Sequence, residues 1–360
     1  MDLQNQSHLV LLSSPGLGHL IPTIELAKRF LIHHNFKLTI IAITSQTSHA
    51  ESQIIKSATN PSLYTIIQIP SPDIPSDLHL SARLCVTMRH AIPSIKSAIT
   101  NLTVPPSALI VDIFGTESLI LAEQLNIPKF VYVASNAWFL SLLLYSPILD
   151  KQIKTPYLEH NEPLKIPGCK PVQPVDLVDP MQDRNNLGYI EYLIIANNLS
   201  KSDAVLVNTW DKLQHRELKA LNGELSGLLK VPVFAIGPLV RQPESETGQA
   251  TKSLMKWLDK QPKESVVYVS FGSGGTMSYE QMKEIALGLE LSEQRFVWVV
   301  RAPKGESADA SFFSTGCSDG FDDELDEIKK HLPEGFLERI KNVDIGDFGK
   351  GQLEFCCLGV

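Results

Sequence analysis

Residues 8–30 read HLVLLSSPGLGHLIPTIELAKRF, and the order of their apolar and small residues sets the fold. Residues 8–13 are β-prone and apolar without alternation, the pattern of a strand covered on both faces. A Pro/Gly turn follows, and residues 21–34 carry apolar side chains at helical spacing. Strand, glycine turn and helix in that order open a βαβ unit. The rhythm continues down the chain. Strands are expected at 37–43 (KLTIIAI), 64–69 (YTIIQI), 108–112, 129–133, 203–208 and 231–236, with helix-like stretches between several of them. Residues 78–102 suit a long helix, interrupted or kinked near Pro93. Apolar strands alternating with helices predict an α/β protein with a doubly wound parallel sheet.

The chain has 360 residues, long for one core and suited to two domains. The first is expected over 1–240. Residues 241–252 (RQPESETGQATK) are polar without apolar period and read as a linker. The α/β rhythm then restarts over 253–342, with a helix at 253–260, a strand at 265–270, a helix at 278–291 and a strand at 295–300. Residues 147–183, rich in proline (KIPGCKPVQPVDLVDP at 165–180), read as a surface loop of the kind that lines pockets.

Composition removes several function classes. A net charge of −8 without any Lys/Arg cluster argues against nucleic acid or an anionic membrane as partner. The greasiest run, residues 137–149, is too short to span a bilayer and reads as a buried helix, so no stable membrane insertion is expected. Five cysteines, odd in number and without a Cys-x-x-Cys pair, fit a reducing compartment. Residues 1–6 lack the basic region of a secretory signal, and a cytoplasmic protein is expected.

Three segments can carry chemistry. Ser13-Ser-Pro-Gly-Leu-Gly-His19 sits where a strand hands over to a helix, the place where open α/β sheets collect ligands. It is no dinucleotide fingerprint, since Ile21 occupies the third glycine position, and no P-loop, since Gly-Lys-Ser/Thr is absent. A nicotinamide oxidoreductase is disfavoured accordingly. His19 is either a turn histidine capping a helix or an acid/base residue in a crevice. Asp112 closes an apolar strand; it either caps the next helix or, if the first and fourth strands are neighbours, fixes the tautomer of His19. Ser270-Phe-Gly-Ser-Gly-Gly-Thr276 is a second strand–turn–helix junction, either a tight turn or a cradle for a diphosphate. The acidic group Asp322, Asp323, Asp326 and Glu327 reads as a solvated loop, and no metal site is expected.

Taken together, PGLGHLIP (15–22), VDIFGTES (111–118), VFAIGPL (233–239), WLDKQPKESVVYVSFGSGGT (257–276), RFVWVVR (295–301) and HLPEGFLERIKN (331–342) resemble the plant family-1 UDP-glycosyltransferases. The SFGSGGT form looks most like the hydroquinone glucosyltransferase (arbutin synthase) branch. The resemblance implies a GT-B fold of two Rossmann-like domains and inverting, metal-independent transfer of glucose. UDP-glucose would be the co-substrate and a small phenolic or alcohol the acceptor. It assigns His19 as catalytic base and Asp112 as its partner. Ser14, Gly18, Ser273, Gly274 and Thr276 fall to the donor side, and Leu17, Phe114 and Trp138 to the acceptor side. The family's His-Cys-Gly-Trp-Asn-Ser donor core does not occur, and residues 343–360 (VDIGDFGKGQLEFCCLGV) no longer resemble it. A C-terminally truncated second domain with a divergent tail is therefore expected. The corresponding alternative function is an inactive acceptor-binding remnant.

Overall fold

The computed structural model describes residues 7–34, 36–44, 49–58, 64–75, 78–240, 249–271, 277–300, 328–342 and 351–355. It forms two compact units, Met1–Gln46 with Ile54–Arg241, and Thr47–Gln53 with Gln242–Val360.

The first unit is built on β1 (His8–Ser13), α1 (Leu17–His34), β2 (Lys37–Thr44), β3 (Thr65–Pro70) and α3 (Leu80–Thr100), with α2 (His49–Ala58) divided between the units after Gln53. It continues through β4 (Ala108–Asp112), α4 (Leu119–Leu125), β5 (Lys129–Val133), α5 (Ala137–Gln152), α6 (Asp179–Gln182) and α7 (Leu187–Asn198). Then follow β6 (Ala204–Val207), α8 (Asp211–Asn222), α9 (Ser226–Leu229) and β7 (Val233–Ala235). The seven strands run parallel in the order β3-β2-β1-β4-β5-β6-β7. The order reverses between β1 and β4, the switch point of a doubly wound sheet.

All six residues of β1 are buried, as an uninterrupted apolar strand at the centre of such a sheet requires. Val10 and Leu12 join Val111, Val131 and Val133 in one core with Met88, Ile95, Leu140 and Ile195 from α3, α5 and α7. Leu9 and Leu11 point to the opposite face, and α1 packs along β1 and β2.

Two proline-based expectations change. α1 starts at Leu17, not Ile21, and carries Pro22 inside it. α3 runs from Leu80 to Thr100 without interruption at Pro93. The buried helix expected over 137–149 is present as α5, which passes Pro147 and extends to Gln152. An interior proline costs about 3 kcal/mol, whereas each fully buried Leu or Ile returns about 1.5–3 kcal/mol. Around Pro93, Met88, Ala91, Ile95 and Ile99 are all buried; around Pro147, Leu143, Leu144 and Leu149 are. The proline-rich segment is also less superficial than expected. Tyr157, Leu164, Ile166, Val172, Leu177 and Met181 are buried in the main core. Arg184 ties its start down by hydrogen bonds to the carbonyls of Asp150, Ile153 and Thr155.

The second unit contains α10 (Gln249–Leu258), β8 (Val266–Val269), α11 (Tyr279–Leu291), β9 (Arg295–Val300), the helix Phe336–Asn342 and β10 (Gly351–Phe355). α10 begins inside the stretch expected as linker. Ser278 and Gln281 form a reciprocal capping box that starts α11. Trp298, Phe296 and Val300 from β9 pack on Met282, Ala286, Leu332, Phe336 and Ile340. The divergent tail is not wholly irregular: its Gly351–Phe355 pairs in parallel with β9, giving the order β10-β9-β8. The glycine turn with Ser273, Gly274 and Thr276, and the acidic run 321–327, lie outside the described residues.

Candidate active site

The strand reversal places two junctions side by side. Leu12 lies opposite Val111 in the β1/β4 ladder, so the chain leaving β1 passes the end of β4, where Asp112 stands. Gly16, with φ of 100°, makes the turn out of β1. That turn puts His19 on the first turn of α1.

His19 Nδ1 and Asp112 Oδ2 are 2.9 Å apart. Asp112 Oδ1 accepts the Phe114 backbone N–H at 3.1 Å and the Ser14 hydroxyl. Asp112 thus fills both roles that its sequence position allows: it caps the 3-10 helix Ile113–Ser118 and it holds the histidine. Its side chain is fully buried, while that of His19 keeps 17% of its surface exposed. The Phe114 ring meets the imidazole edge-on, with centroids 5.1 Å apart. A carboxylate only accepts, so the hydrogen between the two residues belongs to Nδ1, and Nε2 carries the lone pair.

Two effects oppose each other at His19. Burial favours the neutral ring, but the Asp112 charge and its hydrogen bond prevail and raise the histidine pKa above its ordinary value. For Asp112, burial favours the neutral acid. The His19 charge, with hydrogen bonds from His19, Ser14 and Phe114, prevails and lowers its pKa. The two groups therefore hold each other in their charged forms when the ring is protonated, and Asp112 stays a carboxylate when it is not.

Of the other expected residues, Leu17 is buried, Gly18 is exposed with open space where a Cβ would stand, and Phe114 and Trp138 are half-buried against the main core. Phe114 is brought to His19; the structure records no contact between Trp138 and His19. Ser14, expected on the donor side, gives its hydroxyl hydrogen to Asp112 Oδ1. Among the described residues, no group of three or more His, Cys, Asp or Glu is arranged to hold a metal ion.

Two features escaped the sequence reading. Tyr132, opposite Asp112 in the β4/β5 ladder, is buried with a hydroxyl that finds no hydrogen-bond partner among the described residues. Burial, followed by the Asp112 charge, pushes its pKa far up. Arg89 of α3 grips two carboxylates at once, Glu117 at 2.5 and 3.2 Å and Glu191 of α7 at 2.7 and 2.9 Å. No local pattern signals either, because each partner set comes from separate elements.

The α/β fold is that of the GT-B glycosyltransferases it matches. The structure of Phytolacca americana UGT2 complexed with UDP-2fluoro-glucose and pterostilbene matches 99% of this chain and 72% of its own, with a TM-score of 0.80 and 32% identity. Anthocyanidin 3-O-glucosyltransferase 5 of Manihot esculenta is 50% identical over 350 residues, 96% of this chain and 70% of the relative. Hydroquinone glucosyltransferase of Rauvolfia serpentina is 38% identical over 343 residues, 94% and 71% respectively. No protein-family model matches. The chain belongs to the plant UDP-glycosyltransferases. No helix among the described residues is long and apolar enough to cross a membrane.

Proposed function

We propose that the protein transfers glucose from UDP-glucose to a hydroxyl of a small phenolic or alcohol, with inversion, and that His19 is the general base. Nε2 takes the proton as the acceptor oxygen attacks the anomeric carbon. The bond from that carbon to the diphosphate breaks, and UDP leaves from the opposite face. Asp112 steadies the imidazolium that forms, and the step needs no metal. One observation carries the reading: the 2.9 Å pairing of His19 with a buried carboxylate at the switch point of the sheet, where α/β sheets hold ligands. The relatives' names support glucose and phenolic acceptors, and the Phytolacca americana structure is complexed with UDP-2fluoro-glucose and pterostilbene. Phe114 supplies an apolar surface beside the base, suited to an aromatic acceptor. The buried free thiols Cys85 and Cys169 suit a cytoplasmic setting.

The alternative reading is that the chain binds an acceptor without transferring sugar. Incubating the purified chain with UDP-glucose and a panel of phenols separates the two. Glucoside formed by the wild type and abolished in His19→Ala supports the enzyme. Acceptor binding by calorimetry, with neither UDP-glucose binding nor product, supports the second reading.

A further inference from the structure

We infer that Ser14 is a positioning residue of the His19–Asp112 pair. Its hydroxyl fixes the Asp112 carboxylate in the plane that presents Oδ2 to the imidazole. The inference deepens the assignment of His19 as base and rests on it.

The geometry divides the carboxylate into two ends. Oδ1 takes two donors, the Ser14 hydroxyl and the Phe114 backbone N–H, whereas Oδ2 faces His19. The Phe114 N–H comes from two residues along the same chain, and the Ser14 hydroxyl comes from just beyond the end of the neighbouring strand, so Oδ1 is held from two separate elements. Both side chains are about 1% exposed, so bulk water has no access to replace either bond. The serine is itself held: the Ser13 hydroxyl donates to the Ser14 carbonyl at 3.1 Å, just ahead of the Gly16 turn.

A serine hydroxyl has a single hydrogen, and here it is given to a carboxylate; while that bond stands, the hydroxyl cannot also donate to another acceptor. Charge-assisted bonds of this kind are the stronger ones, which favours the committed arrangement.

The test reads the histidine, not the product. The full chain, labelled with ¹⁵N-histidine, is titrated by NMR as wild type, Ser14→Ala and Ser14→Thr, with His19→Ala to assign the signals. The wild type is expected to show a downfield Nδ1–H resonance and a His19 midpoint above about 6.5. In Ser14→Ala the resonance is lost to exchange and the midpoint falls by about half a pH unit or more, as a released carboxylate turns from the ring. Ser14→Thr, which keeps the hydroxyl, retains both features. A Ser14→Ala protein whose resonance persists and whose midpoint is unmoved or raised overturns the inference. Failure of the wild type to make glucoside would sink the assigned reaction while leaving this titration readable.

Discussion

Replacing Asp112 by asparagine keeps the shape of the side chain and removes its charge. Oδ1 receives two donors, Ser14 and Phe114, so the amide must set its oxygen there and turn its NH₂ towards His19. An NH₂ donates, which makes Nδ1 of the ring the acceptor and moves the ring hydrogen to Nε2. The base is then in the wrong tautomer. The charge effect adds to this. Opposite charges about 4 Å apart at an effective dielectric of about 20 attract by about 4 kcal/mol. In the wild type this attraction outweighs burial and raises the His19 pKa. In Asp112→Asn burial acts alone, so the midpoint should drop from above to below about 6.5. Loss of a competent base predicts a fall in kcat/KM of about 10²–10⁴. Nitrogen-15 shifts of the labelled ring report midpoint and tautomer in one titration. A variant whose midpoint stays above that of free histidine, or whose Nε2 stays unprotonated in the neutral form, would refute the reasoning.

Two further outcomes follow from the same groups and their surroundings. The raised His19 pKa contributes stability in full below about 6.5, lost as pH rises through the folded value; the lowered Asp112 pKa contributes above about 3.8, lost as pH falls through its folded value. Denaturant unfolding should therefore show the pair contributing most between about pH 4 and 6.5, with kcat/KM declining on the acid side of the raised His19 value, a limb that Asp112→Asn displaces to lower pH. Arg89→Met strands Glu191, whose side chain is 4% exposed, and should cost about 3–5 kcal/mol in urea unfolding. Adding Glu191→Gln should recover much of that loss, and an unaltered midpoint in the single variant would show that the pairing carries no stability.

The sequence disclosed what depends on unbroken local pattern. β1 was legible because four consecutive apolar residues, Leu9 to Leu12, fill its middle, and all six of its positions are buried. The pairing of His19 with Asp112 was legible because Asp112 closes β4 and His19 follows the turn out of β1, and a doubly wound sheet must bring the ends of its first and fourth strands together. Helices containing Pro22 and Pro93 were misread at or near those residues, since tertiary burial outweighs a lost hydrogen bond in ways that propensity does not record. The Ser14 hydroxyl has two rotations away from Asp112, and nothing in the letters chooses among them. Arg89, Glu117 and Glu191 stand on three elements, and their meeting depends on how α3 and α7 pack. The strand Gly351–Phe355 hid in a segment that had lost its likeness to the family, where unlike residues can still satisfy a parallel ladder.

Product formation in the wild type against His19→Ala, with UDP-glucose and a phenol followed by mass at a pH above the His19 midpoint, goes straight to whether an imidazole removes the acceptor proton. Glucoside from the wild type, with a rate lower by about 10²–10⁴ in the variant, is the predicted result. Equal rates in the two proteins, or no glucoside from the wild type with any phenol, would contradict the proposed chemistry.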